Sequence, residues 1–159
     1  PTSLLFSRQS LEHINRTESQ INNIKRGGYT LIEGADDPEL IIIATGSEVE
    51  IAVNVAIELN SVNRKIRVVS MPSTDVFDKQ DEDYQDTVLP MDCRNRVAIE
   101  AGVTDYWKKY IGLDGLAFGV NNFGESAPAK KVFEYFGLTE NILKEEIFEY
   151  LVSREMIND

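Results

Sequence analysis

The stretch LIIIATGSEVEIA, residues 40–52, decides the fold. Its first five residues, Leu40 to Ala44, are apolar without a break. An alternating run would mark a sheet with one wet face, whereas a continuous run marks a strand covered on both faces. Thr45-Gly46-Ser47 then turns the chain, and Ser47 with Glu50 has the Ser-x-x-Glu spacing of a capping box. Val49, Val53, Ala56 and Ile57 recur at helical spacing, which predicts a helix to about Asn60. A doubly covered strand followed at once by a helix is the repeating unit of a parallel α/β sheet.

The same alternation continues downstream. Ile66 to Ser70 reads as the next strand, ended by Met71-Pro72, and Asp78 to Leu89 as a weaker helix with Tyr84 and Val88 four apart. Arg96 to Glu100 is a further strand, followed by Gly102. Thr104 is placed to cap a short helix through Trp107, Tyr110 and Ile111, stopped by Gly112. Ala117 to Val120 reads as the last strand. Ser126 is expected to cap a helix carrying Val132, Phe133 and Phe136, with Gly137 at C′. Thr139 begins a final helix bearing Ile142, Leu143, Ile147 and Leu151.

Upstream of residue 40 the pattern is thinner. A brief strand is predicted from Tyr29 to Glu33, closed by Gly34, Asp36, Asp37 and Pro38. Ser10 to Arg26 is polar without a helical stripe and reads as a linker or arm ending at Gly27-Gly28. Thr2 to Phe6 reads as a short strand running into Ser7-Arg8-Gln9. The fold class is therefore α/β, a three-layer α/β/α domain around a mostly parallel sheet.

The 159 residues suit one domain with a real core. With 16 basic against 27 acidic residues the net charge is -11. Such a body repels phosphate backbones and anionic lipid surfaces, so nucleic acid and membrane are excluded as partners. No run approaches the ~20 apolar residues of a membrane span, and no signal peptide is expected. The chain opens at Pro1 instead of a methionine, which suits a piece of something longer. One cysteine, Cys93, permits no internal disulfide and fits a reducing, cytoplasmic setting; it reads as a half-buried or solvent-side thiol. With His13 as the only histidine, a zinc site lacks ligands.

Few residues suggest chemistry. The turn Thr45-Gly46-Ser47-Glu48 precedes a helix and could offer N–H groups to an anion. A regulatory nucleotide- or anion-binding module is thus an alternative function, but Glu48 and Glu50 oppose a phosphate and ordinary capping explains the same residues. Glu100, Asp105 and Tyr106 are close in sequence, yet no nucleophile or histidine accompanies them. His13 has no assigned role. Tyr106, Trp107 and Tyr110 are expected to pack on the sheet, and the acids from Asp78 to Asp86 to form a solvated helix face.

Several runs together carry a resemblance: LLFSRQ (4–9), RGGY (26–29), ATGSEVEIA (44–52), RVVSMPSTDVFDKQD (67–81), EAGVTDYWKKYIG (100–112) and FGESAPA (123–129). In their order and spacing the chain resembles the transketolase family, specifically its C-terminal domain. The resemblance implies the end of the pyrimidine-binding domain at residues 1–9, a linker at 10–26, the C-terminal domain at 27–152 and a tail at 153–159. It implies a five-stranded sheet with one antiparallel strand, the one at Tyr29. It further implies a parent enzyme that transfers a two-carbon ketol unit between sugar phosphates in the pentose phosphate pathway. That parent is a cytoplasmic homodimer using thiamine diphosphate and magnesium or calcium. The cofactor supplies an electron sink for the carbanion-like intermediate.

The family's Gly-Asp-Gly metal motif is not in this chain, and its activating glutamate belongs before residue 1. Neither cofactor nor metal binding, nor any catalytic residue, is expected here. The role is structural and dimer-supporting, in partnership with the other transketolase domains. One site residue carries over. Arg8 in Ser7-Arg8-Gln9 matches the arginine that grips the substrate's terminal phosphate, a task suited to the guanidinium fork. Without the preceding domain, residues 1–25 are expected to be a disordered or displaced arm, and Ser153 to Asp159 to fray.

Overall fold

The structure is a computed structural model that describes residues 9–158. Thr2 to Phe6 and Arg8 lie outside the described residues. A helix α1 (Glu18–Asn23) and a short 3-10 turn precede strand β1 (Tyr29–Ile32). Then follow β2 (Leu40–Ala44), α2 (Glu48–Ser61), β3 (Ile66–Ser70), α3 (Thr74–Phe77) and α4 (Glu82–Val88). The chain continues through β4 (Arg96–Ile99), a 3-10 turn (Thr104–Trp107), α5 (Lys108–Ile111), β5 (Leu116–Phe118), α6 (Ala129–Tyr135) and α7 (Glu140–Asn158).

The sheet runs β1-β3-β2-β4-β5, with β1 antiparallel to β3 and the other pairs parallel. The five strands and the single antiparallel one are thus as expected. Every residue of β2 is buried. Leu40, Ile42 and Ala44 face a core shared with α2 and α7, where Ala52, Val55, Ala56, Leu143 and Ile147 close over them. Ile41 and Ile43 face the opposite core, with Phe77, Val88, Trp107 and Tyr110. These two cores are the two sides of a three-layer domain.

Several local expectations are corrected. In α2 the buried stripe is Val49, Ala52, Val55, Ala56 and Leu59, while Ile57 is 56% exposed. The buried stripe is centred on the small Ala52 and Ala56, and at about 100° per residue Ile57 falls off it. The predicted helix over 78–89 is shorter, α4 over Glu82–Val88, because the Asp81 carboxylate accepts the Tyr84 N–H and starts it there; α3 ends before it, at Phe77. Thr104 is not a cap: its N–H and hydroxyl both donate to Asn121 Oδ1. Ser126 does not cap α6, which begins after Pro128. Gly137 does take the left-handed conformation expected at C′, with φ of 72°. Cys93 is 7% exposed, a buried thiol instead of a half-exposed one, and burial pushes its pKa up.

Both ends of the described chain are also more built than expected. Thr17 and Gln20 form a full capping box, so α1 exists without an apolar stripe. Gln20 Nε2 donates to the carbonyls of Thr30 and Leu31, and Arg16 Nε donates to the Tyr29 hydroxyl. These polar bonds hold Arg16 and α1 against β1 instead of leaving them displaced. At the other end α7 continues through the predicted tail to Asn158. Arg154 bonds Asn95 Oδ1 and pairs with Asp114 at 3.6 Å, and Glu155 pairs with Arg64 at 2.8 Å, which fastens the last turns.

Gly27 and Gly28 close the arm tightly onto α3. Gly27 has φ of 86°, and a Cβ there would stand 2.3 Å from the Ser73 carbonyl oxygen. Only glycine fits such a left-handed, crowded position.

Burial raises the phenol pKa of Tyr84, Tyr110 and Tyr150; at Tyr110 the hydrogen bond to Asp78 adds to it. The folded state thus holds these protons more tightly than the unfolded chain. The stability they contribute is complete below about pH 10, the ordinary tyrosine value, and is lost as pH climbs through the raised folded values. Urea midpoints should be flat near neutrality and drop above about pH 10, with phenolate absorbance appearing together with unfolding.

Candidate functional site

An open α/β sheet binds ligands in the crevice outside the carboxyl ends of its strands, where the winding reverses. Here β2 leads to β3 on one side, and the chain then crosses to β4 on the other, so the reversal lies between β2 and β4. The turn after β2 supplies Thr45 to Glu48, and the turn after β4 supplies Glu100 to Gly102.

Glu48 fills that crevice. It is 4% exposed. Its Oε2 accepts the Ala101 N–H at 3.2 Å and its Oε1 accepts the Ser47 hydroxyl at 2.6 Å. The expected Ser47–Glu50 capping box is therefore absent. Ser47 sits in helical conformation (φ -68°, ψ -26°), so its hydroxyl turns to Glu48 instead of the helix N–H groups. Glu50 looks elsewhere, accepting the Glu12 N–H at 3.3 Å. That bond draws the arm over the start of α2. Leu11, His13 and Arg16 of the arm enclose a cavity of about 200 Å3 with Gly46, Glu50 and Pro72. His13 itself is exposed.

Beside Glu48 a cleft of about 290 Å3 is lined by Thr45, Ser73, Thr74, Glu100 and Tyr106. Glu100 Oε2 accepts the Trp107 indole N–H at 2.8 Å, and Thr74 and Tyr106 share a hydroxyl hydrogen bond. Asp105 turns away to pair with Lys108 at 2.7 Å, so Glu100 and Asp105 form no working carboxylate pair. Of the aromatic trio, Trp107 and Tyr110 pack on the sheet as expected, whereas Tyr106 is exposed. Among the described residues no three His, Cys, Asp or Glu side chains converge to hold a metal ion. A diphosphate needs donors and positive charge at this edge, and it would meet a buried carboxylate and Glu100. The residues here do not fit thiamine diphosphate or a metal that anchors it. Arg8, the one phosphate-binding candidate from the sequence, lies outside the described residues. Sequence reasoning set Glu48 against a bound phosphate but missed that it closes the crevice. The available signal was its place, a carboxylate at the first helical position after a buried strand.

The family model for the transketolase-like TK C-terminal domain matches residues 27–139. The chain belongs to this transketolase C-terminal domain family. It is 56% identical over 144 residues to transketolase 2 of Vibrio parahaemolyticus, covering 90% of this chain and 22% of that protein. It is 58% identical over 139 residues to transketolase 1 of Escherichia coli, covering 87% of this chain and 21% of that protein. A solved transketolase variant from Pichia stipitis superposes with a TM-score of 0.81 at 34% identity, over 93% of this chain and 21% of the other. The chain therefore spans about a fifth of the length of the curated relatives it matches. Among the described residues of this transketolase C-terminal domain, no helix is long and apolar enough to cross a membrane.

Removing the Glu48 carboxylate takes the acceptor from the Ala101 N–H and the Ser47 hydroxyl and empties the buried place that its side chain fills. Glu48→Ala should cost about 1–3 kcal/mol of stability. Glu48→Gln, whose amide oxygen can still accept, should cost less. Urea denaturation of the two variants beside the parent sequence measures both.

Proposed function

We propose that this chain serves a transketolase as a non-catalytic C-terminal domain, one that builds and holds the assembly around an active site made elsewhere. The parent enzyme in this reading is a cytoplasmic homodimer of the pentose phosphate pathway. It moves a two-carbon ketol unit between sugar phosphates with thiamine diphosphate and a magnesium or calcium ion. Those groups are held by the domains that precede residue 1. Family membership supports the enzyme class. The single observation that supports the non-catalytic role is the Glu48 carboxylate seated in the crevice where an α/β domain would otherwise take a ligand.

What remains for this domain is mechanical. Its two cores make a stiff body, and aromatic and apolar side chains at the carboxyl edge, Val103, Tyr106 and Phe123, are exposed. Such side chains suit packing against neighbouring domains or a second subunit.

The test has two arms. The isolated chain with thiamine diphosphate, magnesium and xylulose 5-phosphate should show no turnover. A parent enzyme lacking residues 27–159 should lose activity and dimer mass together in analytical ultracentrifugation. Turnover by the isolated chain, or an intact dimer that has lost activity, would overturn the reading.

Arg8 is proposed as the residue that grips the terminal phosphate of the sugar in the intact enzyme, on the strength of its Ser7-Arg8-Gln9 run. A guanidinium offers two parallel charge-assisted bonds to phosphate. In the intact enzyme Arg8→Ala should raise KM for phosphorylated donors by about tenfold or more. Turnover of an unphosphorylated donor should change little. Equal losses on both donors would remove Arg8 from this role.

A further inference from the structure

Cations gather at one place on the opposite end of the sheet. At the amino ends of β4 and β5 the preceding loops enclose a pocket of about 250 Å3, lined by Met91, Arg94, Arg96, Lys109, Leu113 and Asp114 among others. Three cations and one carboxylate meet there, in a chain whose net charge is -11.

The cations differ in how they are compensated. Arg96 donates to the carbonyls of Leu89, Pro90, Cys93 and Tyr110, at 2.8 to 3.0 Å. Carbonyl dipoles solvate a guanidinium but leave its net charge in place. Among the described residues neither Arg94 nor Arg96 has a carboxylate within ion-pair distance. The pocket's one acid, Asp114, pairs with Arg154 at 3.6 Å, and Lys109 pairs with Asp78 at 2.6 Å. Burial holds the Arg96 pKa below the usual arginine value, and the nearby Arg94 charge pushes the same way against Cys93 and Asp86. Arg94 and Arg96 line the same concave surface, where a low-dielectric wall strengthens their field, while Asp78, Glu82 and Asp86 line the adjoining pocket on the other side of Arg96. An anion there would relieve the repulsion of the two arginines.

We propose that this pocket binds the phosphate monoester group of a small metabolite, held by Arg94 and Lys109 in the field of Arg96. Arg94 is exposed and free to close on a ligand, and Lys109 can trade Asp78 for the phosphate. The pocket volume lies below the range that encloses drug-sized ligands, which favours a compact phosphate. Met91 and Leu113 are exposed at its rim and can cover the carbon body of the ligand. The site lies at the far end of the sheet from the crevice closed by Glu48, so it does not depend on the catalytic reading.

The test is nitrogen-edited NMR of the full chain, titrated with inorganic phosphate and, separately, with adenosine monophosphate; adenosine is the uncharged control. Saturable shifts should cluster at residues 91–96 and 109–114 with either phosphate and be absent with adenosine. Tighter binding of the nucleotide would assign a share to the apolar rim, and equal binding would assign recognition to the phosphate alone; both support the site. Arg94→Ser should weaken binding about tenfold and Arg94→Lys less, with an unchanged thermal midpoint because Arg94 makes no buried contact. Unsaturable shifts, shifts centred elsewhere, or affinity indifferent to Arg94→Ser would overturn the proposal.

Discussion

The fold depends on strand β2 having no free edge and no free face. Its five residues are buried throughout, and its register runs in parallel with β3 on one side and β4 on the other. Backbone groups so deeply buried must be paired along both edges. Parallel neighbours can be reached only by crossovers, so a helix must return the chain each time. One crossover, α2, covers one face; the next, through α3 and α4, covers the other. The reversal beside β2 follows from that need, and the crevice from the reversal.

The crevice then poses its own problem. It gathers donors at the start of α2 and after β4, the Ser47 hydroxyl and the Ala101 N–H. A nucleotide-binding relative of this architecture would satisfy them with phosphate. This chain uses Glu48, whose two oxygens join the turn after β2 to the turn after β4. The same carboxylate therefore completes the fold and closes the ligand position.

The strands were legible because burial on two faces writes itself as an unbroken apolar run, as in Leu40 to Ala44. The antiparallel β1 was legible as a brief strand, and its direction from the family resemblance. Helix starts were read poorly. Ser47, Thr104 and Ser126 have capping chemistry, yet two of them bond partners that sequence spacing does not reveal, Glu48 and Asn121. Thr17 and Asp81 cap helices that lack a strong apolar stripe. A cap is decided by which partner reaches a hydroxyl first, and a distant Asn121 is invisible in a local window. The tail was misread for the same reason: Arg154 and Glu155 find Asn95, Asp114 and Arg64 only after folding. Of the site, the acidity near residue 48 was legible, but its closure of the crevice needed the position of Ala101.

The polarity of the alternation also explains why charge is sorted by end. Each crossover helix runs against its strands, so helix N-termini gather at the carboxyl edge and helix C-termini at the amino edge. The first carry partial positive charge and the second partial negative charge. At the carboxyl edge the protein answers with Glu48 and Glu50. At the amino edge it answers with arginines. Arg67, buried beside α4, donates to the Thr87 carbonyl, and its Nε keeps no partner. Arg96 gathers the carbonyls at the end of α4 and from Tyr110 of α5. Arg64 lies within 2.9 Å of Glu39, an ion pair by proximity although its N–H groups are not aligned as hydrogen bonds. The carboxylates finish their task, since Glu48 is matched to its donors. Arg64 is matched by Glu39 and Glu155 and Arg67 by Glu33 at 3.2 Å, but Arg96 meets only carbonyls, whose dipoles orient a guanidinium without cancelling it. Positive charge therefore survives at Arg96 as a consequence of holding helix ends in place.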